Sequence, residues 1–202
     1  IIVGFSGGVD STLVLAATNQ FLEAHNKKNC LTALHVNHQT QSDSSSWQIH
    51  CEKFCKEHNI NFSCKSVEIK ESGQGYEAAA RSARLDIFNA FDEATVIILG
   101  HHLDDQVETV FFRVLRGTGL KGLTGMQRHL KIKDKDFIRP LLHLTKEEIF
   151  KQTKEYKLSF IEDQSNTDNA YSRNFLRNEI IPQITKRWPG AKKNTARMAN
   201  LL

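Results

Sequence analysis

The chain has 202 residues, of which 40% are apolar and 25% charged, with a formal net charge of +4. This length suits one large domain, or one domain with an appendage, and the apolar content is enough for a full core. No run approaches the ~20 apolar residues of a membrane span, and no signal peptide opens the chain. The four cysteines include no CxxC pair, which indicates reduced thiols rather than a disulfide framework or metal cluster. We therefore expect a cytoplasmic protein without a membrane partner.

The first predicted element is an apolar strand over residues 1–5, which runs into the loop Ser6-Gly7-Gly8-Val9-Asp10-Ser11 and then a helix over residues 12–24. Glycines let the backbone approach an anion closely, and a helix start supplies N–H donors and a positive dipole end. Ser6 and Ser11 add hydroxyl donors, and the Asp10 carboxylate suits Mg²⁺ beside phosphates. The segment therefore predicts a phosphate-binding loop. It resembles the SGGxDS PP-loop of the ATP pyrophosphatases, which cleave ATP between the α and β phosphates.

Strands and helices then alternate, with strands predicted over residues 31–36, 61–67 and 95–99 and helices over 45–58, 77–91 and 105–115. This order predicts an α/β fold, a Rossmann-like parallel sheet with helices on both faces. Right-handed crossovers place the loops that follow the strands at one edge, where ligands bind near a reversal of strand order. We therefore expect the loops at residues 6–11, 35–38 and 100–105 to surround one crevice.

The fourth strand leads into the segment GHHLDDQVET at residues 100–109, which enters a helix at this edge. Asp105 and Glu108 are three residues apart and share a helix face, so the pair suits an ammonium group or a metal ion. His101 and His102 are candidates for phosphate contact or proton transfer. The structural alternative is a pair of helix-capping acids beside surface histidines.

The remaining elements complete the sheet and add a basic tail. Residues 116–125 are glycine-rich and predict a mobile loop over the site, and Arg139-Pro140-Leu141-Leu142 predicts a last edge strand. Thr145 and Glu148 form a capping box for a following helix. Residues 173–202 carry seven basic residues and one acid, so this helical segment is +6 and the rest −2. The tail predicts a polyanionic partner, although a solvated helical face explains the charge equally well. We divide the chain into a catalytic domain at residues 1–160 and this segment at 161–202.

Together these pieces resemble the tRNA(Ile)-lysidine synthetase family. The matching stretches follow one another along nearly the whole chain: SGGVDS at 6–11, HVNH at 35–38, EAAARSAR at 77–84, GHHLDDQVET at 100–109, LRGTGLKGLTGM at 115–126, RPLL at 139–142 and EDQSNTDNAYSRNFLRNEIIP at 162–182. Family members usually carry Leu-Arg where this chain has Thr40-Gln41, which removes a basic residue near the second strand, and Pro at the position of Gln164, which affects a turn.

The resemblance implies the adenine nucleotide alpha hydrolase type of Rossmann-like sheet. It also implies a ligase that converts the wobble cytidine of an isoleucine tRNA to lysidine with ATP, Mg²⁺ and free L-lysine. In the family, further domains after this one grip the tRNA, and the assembly is at most a homodimer; both ends of this chain look cut. The resemblance implies these roles: ATP binding by Ser6, Gly7, Gly8, Val9, Asp10 and Ser11, the metal at Asp10, charge neutralisation by Arg81, site positions for His101 and Arg173, lysine binding by Asp105 and Glu108, and adenine contact near the backbone of Val36.

Two other interpretations compete with this one. Another PP-loop enzyme that modifies tRNA, or an amidotransferase-type adenylating enzyme, would share the loop, but a thiolase would need a cysteine set that this chain lacks at motif spacing. A nucleotide- or RNA-binding module without turnover would not need the three acids Asp10, Asp105 and Glu108.

Overall fold

The computed structural model describes residues 1–37, 44–67, 76–91, 95–162 and 168–202. Within these ranges one six-stranded sheet contains β1 (Ile2–Gly4), β2 (Thr32–Asn37), β3 (Asn61–Ser66), β4 (Val96–Ile98), β5 (His129–Ile132) and β6 (Lys135–Ile138). The helices are α1 (Val9–Ala24), α2 (Ser44–Glu57), α3 (Tyr76–Asn89), α4 (Leu103–Leu115), α5 (Leu120–Leu123), α6 (Lys146–Glu155), α7 (Ser172–Phe175), α8 (Ile181–Arg187) and α9 (Ala191–Leu201). None of these described helices is long and apolar enough to cross a bilayer.

The strand order is β3-β2-β1-β4-β6-β5, and every neighbouring pair is parallel except β5 with β6. The chain moves outward from β1 to β3 and then returns to place β4 on the other side of β1. The carboxyl ends of β1 and β4 are therefore the point where the strand order reverses, which is the ligand-binding position in open α/β sheets. The predicted parallel Rossmann-like sheet is confirmed.

Successive residues of the central strands point to opposite faces, and both faces are covered. Val3 and Ile98 pack into one apolar cluster with residues of α1, α2 and α6, whereas Ile2 and Ile97 pack on the other face with Phe88 of α3. Strands buried on both sides need continuous apolar sequence, as the runs at β1 and β4 show. The expected helices on both faces are present.

The predicted last edge strand at residues 139–142 is wrong. β6 ends at Ile138, and the edge strand on this side of the sheet is β5, which forms an antiparallel hairpin with β6 through Lys133 at φ +53°. Pro140 has no backbone N–H to give to a strand partner, and the chain turns there to bury Leu141 and Leu142 before α6.

The predicted capping box before α6 is confirmed. The N–H of Glu148 donates to Thr145 Oγ1 at 3.2 Å, and the N–H of Thr145 donates to Glu148 Oε2 at 2.7 Å. These reciprocal bonds satisfy two of the donors that a helix start leaves open.

The C-terminal segment packs on α4 rather than on the sheet. A π-helical turn, Leu176–Ile180, joins α7 to α8, and a third apolar cluster unites Leu103 and Val107 of α4 with Leu176, Ile181 and Ala196. At the start of the segment, the N–H of Ile161 donates to the carbonyl of Gly7 at 2.9 Å. Ile161, the first residue of the segment, is thus hydrogen-bonded to the phosphate loop. The division of the chain into two parts at 160/161 stays a prediction.

Candidate functional site

The predicted phosphate loop is a tight turn held by its own serines. Gly7 has φ +85°, in the left-handed region that favours glycine, and a Cβ there would lie 3.0 Å from the Cys51 sulfur. The hydroxyls of Ser6 and Ser11 are 3.1 Å apart, and Ser11 Oγ donates to the Gly8 carbonyl at 3.0 Å. Gly8 caps α1 without a side chain, so the first N–H groups of this helix open toward an anion.

Gly100, two residues after β4, approaches this loop closely. A Cβ on Gly100 would lie 3.1 Å from the backbone of both Asp10 and Ser11. The two loops at the switch point are therefore in backbone contact, which brings the acids of α4 next to the start of α1. No spacing rule in the sequence indicates this contact.

We expect Gly100→Ala to weaken ATP binding and to lower the free energy of unfolding by about 1–3 kcal/mol, because an inserted methyl group must push the two loops apart. Gly119→Ala is the matched control, because a Cβ at Gly119 would meet no atom within 4 Å. Urea unfolding and titration calorimetry with ATP measure both effects. Equal behaviour of the two variants would contradict the close approach.

His102 caps the start of α4, and its side chain lies next to the carboxylates of Asp10 and Asp105. Its ring is 2% exposed, its Nδ1 accepts the N–H of Asp105 at 3.3 Å, and Asp105 Oδ2 accepts the N–H of His102 at 3.0 Å. Because Nδ1 accepts a bond, the proton of the neutral ring lies on Nε2, which is 3.7 Å from Asp10 Oδ1 and 3.4 Å from Asp105 Oδ2. The capping alternative is thus correct for Asp105 and His102, but the histidine is buried rather than on the surface.

Asp10 presents a carboxylate that the surrounding protein does not satisfy. Its Oδ1 atom is buried and has no hydrogen-bond partner among the residues that the structure describes, while the side chain as a whole is 27% exposed. Burial raises the pKa of Asp10, and the nearby His102 and Lys146 offset only part of that rise. A buried carboxylate oxygen without a hydrogen-bond donor, on a partly exposed side chain, is a candidate cation ligand.

Asp105 and Glu108 share one face of α4, as predicted, and both contact Arg177. Arg177 donates from Nε to Glu108 Oε1 at 2.6 Å and from Nη2 to Glu108 Oε2 at 2.9 Å, and it lies 3.4 Å from Asp105 Oδ1. Glu108 is 1% exposed. Burial raises the pKa of Glu108, and the two bonds from Arg177 oppose that rise. Arg177 is the main residue of this cluster that sequence reasoning missed.

Arg173, the basic residue of this segment predicted to belong to the site, packs against α4. Its guanidinium carbon lies 5.9 Å from the centre of the Phe112 ring, one turn along α4 from Glu108. Arg173 and Arg177 are four residues apart on the same segment, so the sequence alone did not distinguish which of them reaches the acids.

A second ion pair ties the C-terminal segment to the start of α4. Lys192 Nζ donates to Asp104 Oδ1, and the N–H of Lys146 donates to Asp104 Oδ2 at 2.8 Å. Burial alone would raise the pKa of Asp104, but these two donors bring it below the ordinary value. An open cleft of about 420 Å³ adjoins the pair, lined by Asp104, Thr145, Lys146, Glu147, Arg177, Thr185, Pro189 and Lys192.

The structure describes some of the other predicted site residues in full and others only in part. His101 is half-buried between β4 and α4, and Val36 is half-buried on β2, next to the buried His35 whose Nδ1 lies 2.9 Å from the Phe5 carbonyl. Arg81 belongs to α3, but its side chain lies outside the described residues, as do His38, Thr40, Gln41 and Gln164. The Val9 side chain is buried in the core cluster below the loop, so only its backbone is available to a ligand.

The glycine-rich segment that was predicted to form a mobile loop over the site is partly helical. Residues 116–125 include the short helix α5, and Arg113 donates to the carbonyls of Gly122 and Gly125, both at 2.9 Å. Gln106, which is 1% exposed, accepts the N–H of Met126 at 2.6 Å. Two side chains of α4 therefore hold the glycine-rich segment in place.

Comparison with known proteins identifies the family of this chain. The family model described as the PP-loop domain matches residues 1–184. The chain belongs to the PP-loop family. It is 40% identical over 200 residues to a tRNA(Ile)-lysidine synthase of Legionella pneumophila, a match that covers 98% of this chain and 46% of that protein. Matching enzymes of Histophilus somni and Photorhabdus laumondii are 39% and 38% identical, and again 46% of each is covered.

The PP-loop chain thus spans less than half the length of the curated relatives that it matches. Among solved structures it is similar to a U34-tRNA thiolase of Methanococcus maripaludis that carries a [4Fe-4S] cluster, with a TM-score of 0.76 and 20% identity over 98% of this chain and 69% of that one. At this identity the likeness shows the shared fold. The PP-loop family and its ATP-binding fold are therefore established for this chain.

Proposed function

We propose that this PP-loop chain is the catalytic part of an enzyme that joins free lysine to the wobble cytidine of an isoleucine tRNA, with ATP converted to AMP and pyrophosphate. The observation that carries the proposal is the convergence of Asp10, Asp105 and Glu108 beside the phosphate loop at the reversal of strand order. A loop that only binds phosphate does not need three acids. The lysidine synthase relatives at 38–40% identity support the same reaction.

The reaction needs two steps, because the C2 oxygen of cytidine is a poor leaving group. That oxygen first attacks the α-phosphorus of ATP, the bond to the β-phosphate oxygen breaks, and pyrophosphate leaves. The ε-amine of lysine then attacks C2 and loses a proton, and the C2–oxygen bond breaks to release AMP. Lysine has an ordinary pKa of about 10.4, so its amine must give up a proton before it attacks.

The phosphate loop supplies positioning and charge stabilisation for the first step. The backbone of Gly7, Gly8 and Val9 and the hydroxyls of Ser6 and Ser11 surround the helix start that faces the phosphates. Arg81, His101 and Arg173 join this role by resemblance to the family, and the backbone at Val36 is the proposed adenine contact.

Asp10 fits a magnesium ion. Its buried Oδ1 lacks a hydrogen-bond donor among the described residues, and carboxylate oxygen is the ligand type that Mg²⁺ prefers. When bound, the ion would neutralise charge on the phosphates of ATP. Asp10 would hold it, and the loop N–H groups would orient the nucleotide.

The two acids of α4, Asp105 and Glu108, would have different roles toward lysine. Glu108 is enclosed by Arg177 and 1% exposed, whereas the Asp105 side chain is 21% exposed and makes only the longer contact with Arg177. We therefore assign contact with the incoming amine, and acceptance of its proton, to Asp105, with Glu108 acting through Arg177. The adjoining cleft carries both signs of charge, Lys146 and Lys192 beside Asp104 and Glu147, which suits a free amino acid.

The direct test is a single incubation of the chain with ATP, radiolabelled lysine and an unmodified transcript of isoleucine tRNA. The proposal predicts label in the tRNA and release of AMP and pyrophosphate that both depend on tRNA. Asp105→Asn should still release pyrophosphate once but transfer little lysine, since the cap to His102 survives and the charge is lost. Pyrophosphate release without lysine transfer by the unaltered chain would point instead to another adenylating PP-loop enzyme.

The basic segment is the proposed contact for the tRNA backbone, with one exception. Lys186 and Lys193 are exposed, whereas Lys192 is paired with Asp104. We expect Lys186→Met and Lys193→Met each to lower the slope of log affinity against log salt by roughly 0.7–0.9. Lys192→Met is the internal control and should leave the slope unchanged. Filter binding at several salt concentrations measures this, and three identical slopes would assign the charges to a solvated face.

The assembly that accompanies this proposal is at most a homodimer, which sedimentation would test. The free thiols of the chain and a tRNA substrate agree with the cytoplasm as its place of action.

A further inference from the structure

Two aromatic side chains at the two ends of α7, Tyr171 just before the helix and Phe175 at its last residue, have no role in the reaction described above. Tyr171 and Phe175 are 46% and 45% exposed and four residues apart, so they lie one helical turn from each other. The residues on the inner side of the same turn, Arg173 and Leu176, are half-buried and buried. We name Tyr171 and Phe175 the ring pair.

The helix that carries the ring pair is firmly attached from its inner side. Leu176 is 3% exposed in the apolar cluster with α4. The guanidinium of Arg173 lies 5.9 Å from the centre of the Phe112 ring, and that of Arg116 lies 5.2 Å from the same ring. The ring pair is therefore exposed on a fixed helix, and its burial is not needed to hold the fold together.

The ring pair is carried by the same helical segment as Arg177. Phe175 is two residues before Arg177, whose guanidinium contacts both Glu108 and Asp105. With a rise of about 1.5 Å per residue, the backbone of Tyr171 is within roughly 10 Å of that of Arg177 along the helix. A ligand atom at the acids and a base on the rings could belong to neighbouring units of one polymer.

The charge around the ring pair identifies the chemistry of that polymer. Residues 109–133, which include the end of α4, carry six basic residues and no acid, and residues 168–202, which include the ring pair, carry seven basic residues and two acids. The rest of the chain has 14 basic and 21 acidic residues. Both positive segments meet at Phe112, through Arg116 and Arg173. A partner must be polyanionic and also have planar apolar faces to cover exposed rings.

We propose that the ring pair is a stacking platform for unpaired bases of the anticodon loop, next to the nucleotide that enters the site. Single-stranded RNA is recognised in this way, by bases stacked on aromatic rings and guanidinium planes within a positive surface. This inference rests on the proposed function, since it takes the tRNA loop as the partner. It assigns base contacts to Tyr171 and Phe175 and leaves phosphate contacts to the lysines and arginines.

The test measures binding of the chain to two synthetic RNA stem-loops by fluorescence anisotropy. The first has the anticodon loop of the isoleucine tRNA, and the second has the same stem and an abasic loop. Tyr171→Ala and Phe175→Ala should each weaken binding of the first RNA by about tenfold. Neither should change binding of the abasic loop or the salt slope. Tyr171→Phe and Phe175→Tyr keep a ring and should bind like the unaltered chain.

Exposed aromatic residues in other parts of the described structure provide matched control variants. Phe21 on α1 and Tyr156 after α6 are both 61% exposed, and Phe21→Ala and Tyr156→Ala should bind both RNAs normally. Circular dichroism and thermal melting should show all variants folded, because each altered side chain is on the surface.

The outcomes separate this inference from the proposed function. Loss of base-dependent binding in the alanine variants supports the platform, even if the chain transfers no lysine. Normal lysine transfer together with unchanged binding by the alanine variants overturns the platform and leaves the function intact. Equal losses on the abasic loop, or no measurable binding of either RNA, also overturn it. Alanine variants that break a dimer of the unaltered chain in sedimentation would overturn it by assigning the rings to contact between copies.

Discussion

Asp10→Asn should reduce AMP and pyrophosphate formation at least about a hundredfold while raising the melting temperature at pH 7. The loss of activity follows from removal of the carboxylate proposed to hold Mg²⁺ at a centre of phosphoryl chemistry. The gain in stability follows from burial, which raises the pKa of Asp10 above its ordinary 3.8 because the folded state disfavours the charged form. Placement in the first turn of α1 favours a negative charge, but the raised pKa shows that burial prevails.

The pH dependence of this difference has a definite sign. A group whose folded pKa is raised binds more protons in the folded than in the unfolded state between the two pKa values, so stability falls as pH rises through that interval. The advantage of Asp10→Asn should therefore be full at pH 7 and shrink as the pH is lowered toward 3.8. Thermal melts over pH, with and without Mg²⁺ and ATP, measure it. Unchanged turnover at saturating Mg²⁺ would falsify the metal role, and a lower melting temperature would contradict the burial argument.

Arg177→Ala should cost about 3–5 kcal/mol of unfolding free energy, the range for removing one partner of a buried ion pair. Glu108 is 1% exposed and both its oxygens bond to Arg177, at 2.6 and 2.9 Å, so the variant would leave a buried carboxylate beside Asp105 and Asp10. Arg177 thus provides the two direct hydrogen bonds that offset the burial of Glu108. Urea denaturation measures the loss.

A double-mutant cycle of Arg177→Met and Glu108→Gln measures the coupling within this pair. Adding Glu108→Gln to Arg177→Met removes both charges and should recover much of the stability, because a neutral pair carries little desolvation cost. Arg177→Lys should recover less, since an ammonium cannot donate two parallel bonds to one carboxylate. Independent, additive losses in the cycle would show that the pair is not coupled.

Features set by neighbours in sequence were predictable. The glycine-rich turn after β1, the box of Thr145 with Glu148 and the shared face of Asp105 with Glu108 each depend on atoms within a few residues. The alternation of apolar runs with helical patterns also gave the parallel sheet, because a βαβ crossover leaves few other arrangements.

Features that depend on packing were not predictable in the same way. Residues 139–142 have the composition of a strand, but Pro140 and the hairpin of β5 with β6 decide that the chain turns there. The predicted topology placed the loops at residues 6–11 and 100–105 at one crevice, but the backbone approach of Gly100 to Asp10 within that crevice is set by packing. No local pattern records such a distance.

The sequence by itself determined which chemical groups this protein carries and on which elements: a phosphate loop, a carboxylate face on α4 and a basic C-terminal segment. The tertiary structure decided how these charges are paired. Arg177 rather than Arg173 meets Glu108 across 69 residues, and Lys192 meets Asp104 across 88. The physical reason is that helix periodicity places a side chain on a face, whereas the apolar cluster of α4 with Leu176 and Ile181 sets the position of one helix against another. That packing selects which cation reaches each buried acid.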